Sequence, residues 1–222
     1  WLNVPSVRYN SNLHRGSSVI RDNVENSMIL GEGHYLGRVT SNNTVSGFYN
    51  YLNDSVTGST ITGTRGNATI SNHYVHGGNR IADITGERQY TRVLFGVKTT
   101  NDETNDSYIN NDGVNFYPIP ENSIMYFNVS VIAVRVGGTG SGSVGDYASW
   151  LERGVVINSA GTLAIKRARK TMSNNGTISN WRPTAAIDGT NFKVTCRGDA
   201  DVDVEWTATV DFTEFRASVA LG

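Results

Sequence analysis

The sequence has little of what several large protein classes require. A single cysteine, Cys196, excludes an internal disulfide framework, and only 4 prolines occur in 222 residues. No apolar run reaches the roughly 18 residues that a membrane-spanning helix needs, so we expect no membrane insertion. With 19 basic and 20 acidic residues the formal net charge is −1. That balance offers no electrostatic basis for a nucleic-acid partner.

Sequence signatures of catalysis are missing as well. The chain has no Gly-x-Ser-x-Gly elbow, no phosphate-binding loop and no His-Glu-x-x-His motif. We therefore predict that the chain is not an enzyme and has no catalytic residue and no cofactor. A glycosidase pair of carboxylates stays open at this point, because such pairs assemble from distant positions of a sequence.

Metal-ligand patterns are equally weak, and we predict no metal site. Asp201, Asp203 and Glu205 are spaced as on one face of a strand, but the glycine and glutamate of a calcium-binding EF-hand loop are not in place. His73 and His76 lie three residues apart. They would reach an axial ion only if coils stacked around a threefold axis, and a surface or inter-coil position is the favoured alternative.

The chain is rich in glycine (24 residues), asparagine, threonine and serine, which favours β structure with many turns over helix. Residues 26–86 form an imperfect array in which single aliphatic residues recur about every seven positions, as in Ile29 and Leu36 or Val45 and Leu52. This spacing suits short strands stacked in coils, with glycine and asparagine at the corners. A disordered linker is the alternative. The apolar column is thin, so we expect neighbouring copies to close its core.

Residues 89–222 change character. Residues 126–136 are apolar on both faces for much of their length, which predicts a central strand. Residues 202–212 alternate strictly between apolar and polar side chains. No segment favours a helix. We predict an all-β chain with three parts: an N-terminal extended segment (1–25), a β-roll repeat region (26–88) and an antiparallel β-sandwich or jelly roll (89–222).

Aromatic side chains near two long loops are the candidate binding residues. Sugar rings stack on such side chains, and loops at the end of a sandwich commonly carry binding sites. The candidates for a receptor or glycan site are Tyr108, Phe116, Tyr117, Tyr147 and Trp150. Core packing is the alternative, and we favour it for Trp150.

Two resemblances arise from these motifs. The run Asn26-Ser27-Met28-Ile29-Leu30-Gly31 resembles the repeats of the left-handed β-roll in trimeric adhesin heads. Residues 126–215 resemble the β-rich terminal region of bacteriophage tail-fibre and virion-fibre proteins. Together they imply a homotrimeric structural fibre on a phage virion, at the tail or the capsid surface. Its partners would be other virion proteins and a host surface glycan or protein.

Alternative functions follow from the same features. A bacterial trimeric surface adhesin head would share the array, and a capsid-decorating protein would dock through residues 1–25. A phage tailspike that cleaves polysaccharide usually has a longer chain with a wide right-handed helix of coils. We expect this chain to have no room for that helix.

Overall fold

The computed structural model describes residues 11–14, 18–21, 23–79, 81, 86–175 and 180–221, and residues 11–14 by their backbone. Most of the predicted extended segment, 1–25, therefore lies outside the described residues. Every regular element within the described ranges is a β-strand, which confirms the all-β prediction. Those ranges accordingly contain no helix long and apolar enough to cross a membrane.

The chain divides into two compact units. One comprises Trp1–Arg92 and Phe212–Ala220, and the other comprises Val93–Asp211 and Leu221–Gly222. Two long strands contribute residues to both units, namely β12 (Arg88–Thr99) and β20 (Val202–Arg216). The remaining strands of the first unit are β1 (Ser11–His14), β2 (Val19–Ile20), β3 (Val24–Glu25), β4 (Met28–Glu32), β5 (Tyr35–Leu36), β6 (Thr40–Ser41), β7 (Thr44–Phe48), β8 (Tyr51–Leu52), β9 (Thr60–Thr64), β10 (Asn67–Ala68) and β11 (Tyr74–Gly78). Those of the second unit are β13 (Thr104–Ile109), β14 (Tyr117–Pro118), β15 (Ser123–Gly138), β16 (Tyr147–Ser159), β17 (Thr162–Asn174), β18 (Arg182–Asp188) and β19 (Asn191–Arg197).

The first unit contains a β-solenoid of about four turns, which confirms the predicted stack of short strands. Strands β1, β4, β7, β9 and β11 pair in parallel in that order. From β4 to β9 the partners lie sixteen residues apart, as with Met28 beside Thr44 and Thr44 beside Thr60. The last turn is shorter, with Thr60 beside Tyr74. The specific adhesin-type β-roll stays a prediction.

A column of aliphatic side chains fills the solenoid. Its members are almost completely buried: Val24, Ile29, Leu36, Val45, Leu52, Val56, Ile61, Ala68 and Val75. The spacing of seven seen in the sequence is the step between the two walls of one turn, from Ile29 on β4 to Leu36 on β5. This column is buried within a single chain. The expectation that neighbouring copies are needed to close its core is therefore wrong. The homotrimer itself stays a prediction.

Buried amides link successive coils. The Asn50 side chain donates to the carbonyls of Ser46 (2.8 Å) and Gly63 (3.1 Å) and accepts from the backbone N–H of Gly66 (2.8 Å). Asn43 lies seven residues earlier in the same turn and makes a similar bond, because its side chain accepts from the backbone N–H of Ser59 at 2.9 Å. Side chains at the corners therefore satisfy these backbone groups, at points where the backbone turns away from its ladder.

The second unit builds its core from long antiparallel strands. Strand β15 lies between β20 and β16, and β17 follows β16 at the edge. Strand β19 is paired by β18 on one side and by β13 and β14 on the other. The strands predicted at residues 126–136 and 202–212 are confirmed and are longer than expected, as β15 and β20. The sandwich topology stays a prediction.

Aromatic rings join these strands in the core. The ring centroid of Phe127 on β15 lies 5.0 Å from that of Phe192 on β19. The ring centroid of Trp206 lies 5.6 Å from that of Trp150 and 5.8 Å from that of Trp181. These pairs place the hydrophobic core between the β15 and β19 layers.

Candidate functional site

Strand pairing brings together polar residues that are far apart in the sequence. Strand β19 pairs antiparallel with β13, where Asp106 lies opposite Thr195, and with β18, where Ala186 lies opposite Lys193. Lys193 thereby reaches Asp106, 87 residues earlier in the chain, and also Asp188 at the end of β18.

Lys193 sits between two carboxylates. Its Nζ lies 2.9 Å from Asp106 Oδ1 and 3.1 Å from Asp188 Oδ2. Burial would lower the pKa of Lys193, but the hydrogen bonds to Asp106 and Asp188 outweigh it, so this pKa lies above its usual value. The ammonium group therefore stays charged at neutral pH and can donate to a bound hydroxyl or carboxylate oxygen.

An aromatic pair adjoins this ion pair. The rings of Tyr108 and Phe116 stack with their centroids 5.0 Å apart and their planes 16° from parallel. The Nζ of Lys193 lies 5.4 Å from the Phe116 centroid. Both rings are half-buried. We name the group formed by Tyr108, Phe116, Lys193, Asp106 and Asp188 the Tyr108–Phe116 patch.

The loop before Phe116 is shaped by one carboxylate. Asp112 accepts from the backbone N–H groups of Val114 (2.9 Å) and Asn115 (2.8 Å) and from the Asn115 side chain (2.7 Å). Burial would raise the pKa of Asp112, but the hydrogen bonds from Asn115 and Val114 prevail and lower it. This turn directs the chain back toward β13 and sets the position of Phe116 beside Tyr108.

The five aromatic candidates do not form one site. Tyr117 and Trp150 are buried, and Trp150 stacks on Trp206, so neither ring offers a face to a ligand. Their assignment as contact residues is therefore corrected, and core packing holds for Trp150. Tyr147 is exposed, and Tyr108 and Phe116 form the patch described above. A glycan-binding role for these three stays a prediction.

A pocket of about 370 Å³ lies within the first unit. Arg88, Tyr90, Glu214 and Phe215 are among its lining residues. Its charged groups are already engaged in part: Glu214 accepts from Gln89 Nε2 at 3.0 Å, and Arg88 donates to a backbone carbonyl at 2.7 Å through one Nη, while its Nε is buried with no hydrogen-bond partner among the described residues. The pocket is therefore a weaker candidate than the patch.

The histidine pair does not converge. His73 is buried and contacts Ser59 Oγ at 3.1 Å, whereas His76 is exposed and contacts Thr62 Oγ1 at 2.9 Å. Within the described ranges, no group of three His, Cys, Asp or Glu side chains is placed to hold a metal ion. Cys196 is buried, and burial raises the pKa of its thiol, as in an unreactive structural cysteine.

No protein-family model matches the chain, and no curated protein matches it. Three solved structures with a distant likeness to the chain are bacteriophage tailspike proteins. The tailspike of Acinetobacter baumannii phage AM24 is 10% identical with a TM-score of 0.32, over 97% of this chain and 49% of that one. The tailspike gp49 of Acinetobacter baumannii bacteriophage Fri1, a capsular polysaccharide depolymerase, is 7% identical with a TM-score of 0.31, over 89% of this chain and 40% of that one. A third, from another Acinetobacter phage, is 10% identical with a TM-score of 0.30, over 91% of this chain and 47% of that one.

The chain spans about half or less of the length of these tailspikes. The prediction that the chain is not an enzyme is contradicted, because the tailspike of phage Fri1 is described as a depolymerase. That the chain has no room for a wide right-handed helix of coils stays a prediction.

Sequence patterns missed the polar half of the patch. Asp106, Asp188 and Lys193 belong to no motif, and they meet only because β19 pairs with both β13 and β18. The aromatic half was accessible to sequence reasoning, since Tyr108 and Phe116 flank a polar loop.

Proposed function

We propose that the chain is part of a bacteriophage virion fibre or tailspike, acts as a homotrimer, and binds a host surface glycan. The observation that carries the binding proposal is the Tyr108–Phe116 stack beside Lys193, which is itself held between two aspartates. Half-buried rings supply an apolar surface for a sugar ring, and the charged groups supply donors and acceptors for its hydroxyls.

The two units have separate roles in this proposal. The solenoid interior is closed by small aliphatic and amide side chains, which suits a spacer of fixed length and stiffness. The second unit presents the patch. Three patches on one fibre, and several fibres on one virion, would give avidity to sites that bind weakly one at a time.

Retention of the purified protein on immobilised capsular and lipopolysaccharide glycans tests the binding proposal. We expect retention on at least one acidic or neutral polysaccharide surface and none on a surface without sugar. A folded protein that no glycan of the host surface retains would overturn the proposal. Assaying the same incubations for released reducing ends shows whether binding is accompanied by cleavage.

The virion setting is tested separately from binding. Peptides of this chain should be found by mass spectrometry in purified phage particles. A bacterial surface adhesin, the principal alternative, would instead be recovered from the cell envelope of uninfected cells. Recovery from the envelope alone would contradict the virion setting and leave the glycan result standing.

A further inference from the structure

The outward side of β15 is a largely apolar surface that no residue of the described ranges covers. Asn128 and Ser130 interrupt it in the middle of the strand. Its apolar outward side chains remain 36–58% exposed: Ile124, Tyr126, Ile132, Val134 and Val136. The alternate residues Met125, Phe127, Val129, Val131 and Ala133 are at most 2% exposed. A strand that is apolar on both sides is expected to be covered on both sides.

Strand β16 extends this surface. Its register with β15 places Ile157 beside Ile124 and Val155 beside Tyr126. Both β16 residues are only half-buried. The apolar stripe is therefore two strands wide at this end of β15. Farther along, Arg153 lies beside Asn128 and Ser149 beside Ile132, so the stripe there is carried mainly by β15.

The stripe has a basic flank. In the pairing of β16 with β17, Lys166 lies beside Val155 and Lys170 beside Leu151, so these lysines share the outward face. Both lysines are exposed, and neither has a salt-bridge partner among the described residues.

The opposite flank is acidic. Strand β20 pairs with the edge of β15 opposite to β16. Trp206 of β20 stacks on Trp150 of β16, so the buried side chains of the three strands lie on the same face of the sheet. The outward side of β20 therefore joins the same face. It carries Glu205, which is exposed, and Asp203, whose carboxylate lies 3.0 Å from Lys98.

We propose that this face, which we name the β15 face, packs against the β15 faces of other copies of the same chain. Around a threefold axis, three inward-turned faces would bury their apolar stripes at the axis. Each acidic flank would then meet the basic flank of the next copy, which is the complementarity that a ring of identical subunits requires. This inference rests on the homotrimer of the proposed function.

Sedimentation velocity of Ile132→Lys tests the β15 face. Ile132 is 58% exposed, so a lysine there leaves the core of the chain intact, and far-UV circular dichroism checks the fold. We expect the wild type to sediment as a trimer and Ile132→Lys as a monomer at the same micromolar concentration. Val144→Lys is the matched control, because Val144 is an exposed apolar residue (68%) in the loop between β15 and β16. It should remain trimeric.

Charge exchange tests the flanks. Glu205→Lys and Lys166→Glu should each raise the dissociation constant of the trimer by about tenfold, because each places like charges at the contact. The double variant carries the exchanged pair in every copy and should restore association. A trimer that persists in Ile132→Lys would overturn the β15 face alone, whereas a monomeric wild type would overturn the proposed homotrimer as well.

Discussion

At the scale of single residues, the solenoid depends on side chains that replace backbone partners. Asn50 satisfies the Ser46 carbonyl of its own coil and the Gly63 carbonyl and Gly66 N–H of the next, while it is itself only 1% exposed. A buried polar group that loses its partner costs more than the net value of the hydrogen bond. Asn50 should therefore contribute to stability out of proportion to its size.

Replacing Asn50 by alanine should lower the free energy of unfolding by about 2–4 kcal/mol, because three backbone groups lose their partner. Asn53→Ala is the control, since Asn53 is half-buried and its side-chain amide forms no hydrogen bond with another described residue. Chemical denaturation of both variants measures the difference. Equal stability of the two variants would show that water replaces the amide without cost.

His73 makes the stability of the solenoid depend on pH. Burial lowers the pKa of His73 to about 4, against an opposing hydrogen bond to the carbonyl of Ile70. The unfolded chain therefore binds this proton near pH 6.5, whereas the folded chain binds it only near pH 4. Stability from this residue is fully present above pH 6.5 and is lost as the pH falls between these values.

We expect the free energy of unfolding to fall by about 3 kcal/mol from pH 7 to pH 4 because of His73. His73→Gln should remove this part of the pH dependence, and His76→Gln should leave it unchanged because His76 is exposed. Urea denaturation at a series of pH values measures it. The same slope in the wild type and in His73→Gln would contradict the assignment.

At the scale of elements, a column of glycines fixes how closely the coils stack. Gly47 has a φ of +106°, and a Cβ there would lie 2.0 Å from the carbonyl oxygen of Gly63. In the same way, a Cβ on Gly31 would lie 1.9 Å from the carbonyl oxygen of Gly47. Only glycine meets both demands, a left-handed backbone and close approach of the next coil.

Gly47→Ala should destabilise the first unit by at least about 3 kcal/mol, because steric overlap adds to backbone strain. Gly189→Ala separates the two effects, since Gly189 also has a positive φ (+55°) but no atom within 4 Å of its Cβ position. That control should cost about 1 kcal/mol. Thermal unfolding compares them, and similar losses would mean that strain alone decides.

The elements also show how far sequence reasoning reached. Alternation located β15 and β20 because the period of two is a local property of the chain. The sequence also predicted the stacked coils, but it gave the wrong repeat length. The spacing of seven residues separates the two walls of one turn, because Ile29 and Leu36 belong to the same turn. The repeat of sixteen appears in Ile29, Val45 and Ile61, which the register aligns.

The candidate site was less accessible to the sequence than the fold. Tyr108 and Phe116 were identified from their chemistry and their position beside a loop. Lys193 meets Asp106 through a pairing of strands separated by more than 80 residues, and no local pattern encodes that register. Trp150 had the same chemistry as the other candidates, but the structure assigns it to the core.

At the scale of the whole molecule, the two units divide stability and recognition between them. The solenoid keeps its apolar column inside one chain, so trimer formation is left to another surface, the β15 face. The patch needs no other copy for its geometry, since its contacts all lie within one chain. Loss of the trimer should therefore reduce avidity while the affinity of a single patch is unchanged.

The central claim is that the Tyr108–Phe116 patch binds a host glycan. Its most direct test is titration of the retained glycan into wild type, Phe116→Ala and Phe48→Ala, with thermal unfolding as the check on fold. Phe48 is the control because it is an exposed aromatic residue (49%) of the first unit. We predict that Phe116→Ala raises Kd by about tenfold or more, as expected for loss of a stacking ring, and that Phe48→Ala leaves it unchanged. Equal Kd values for the wild type and a folded Phe116→Ala would contradict the claim.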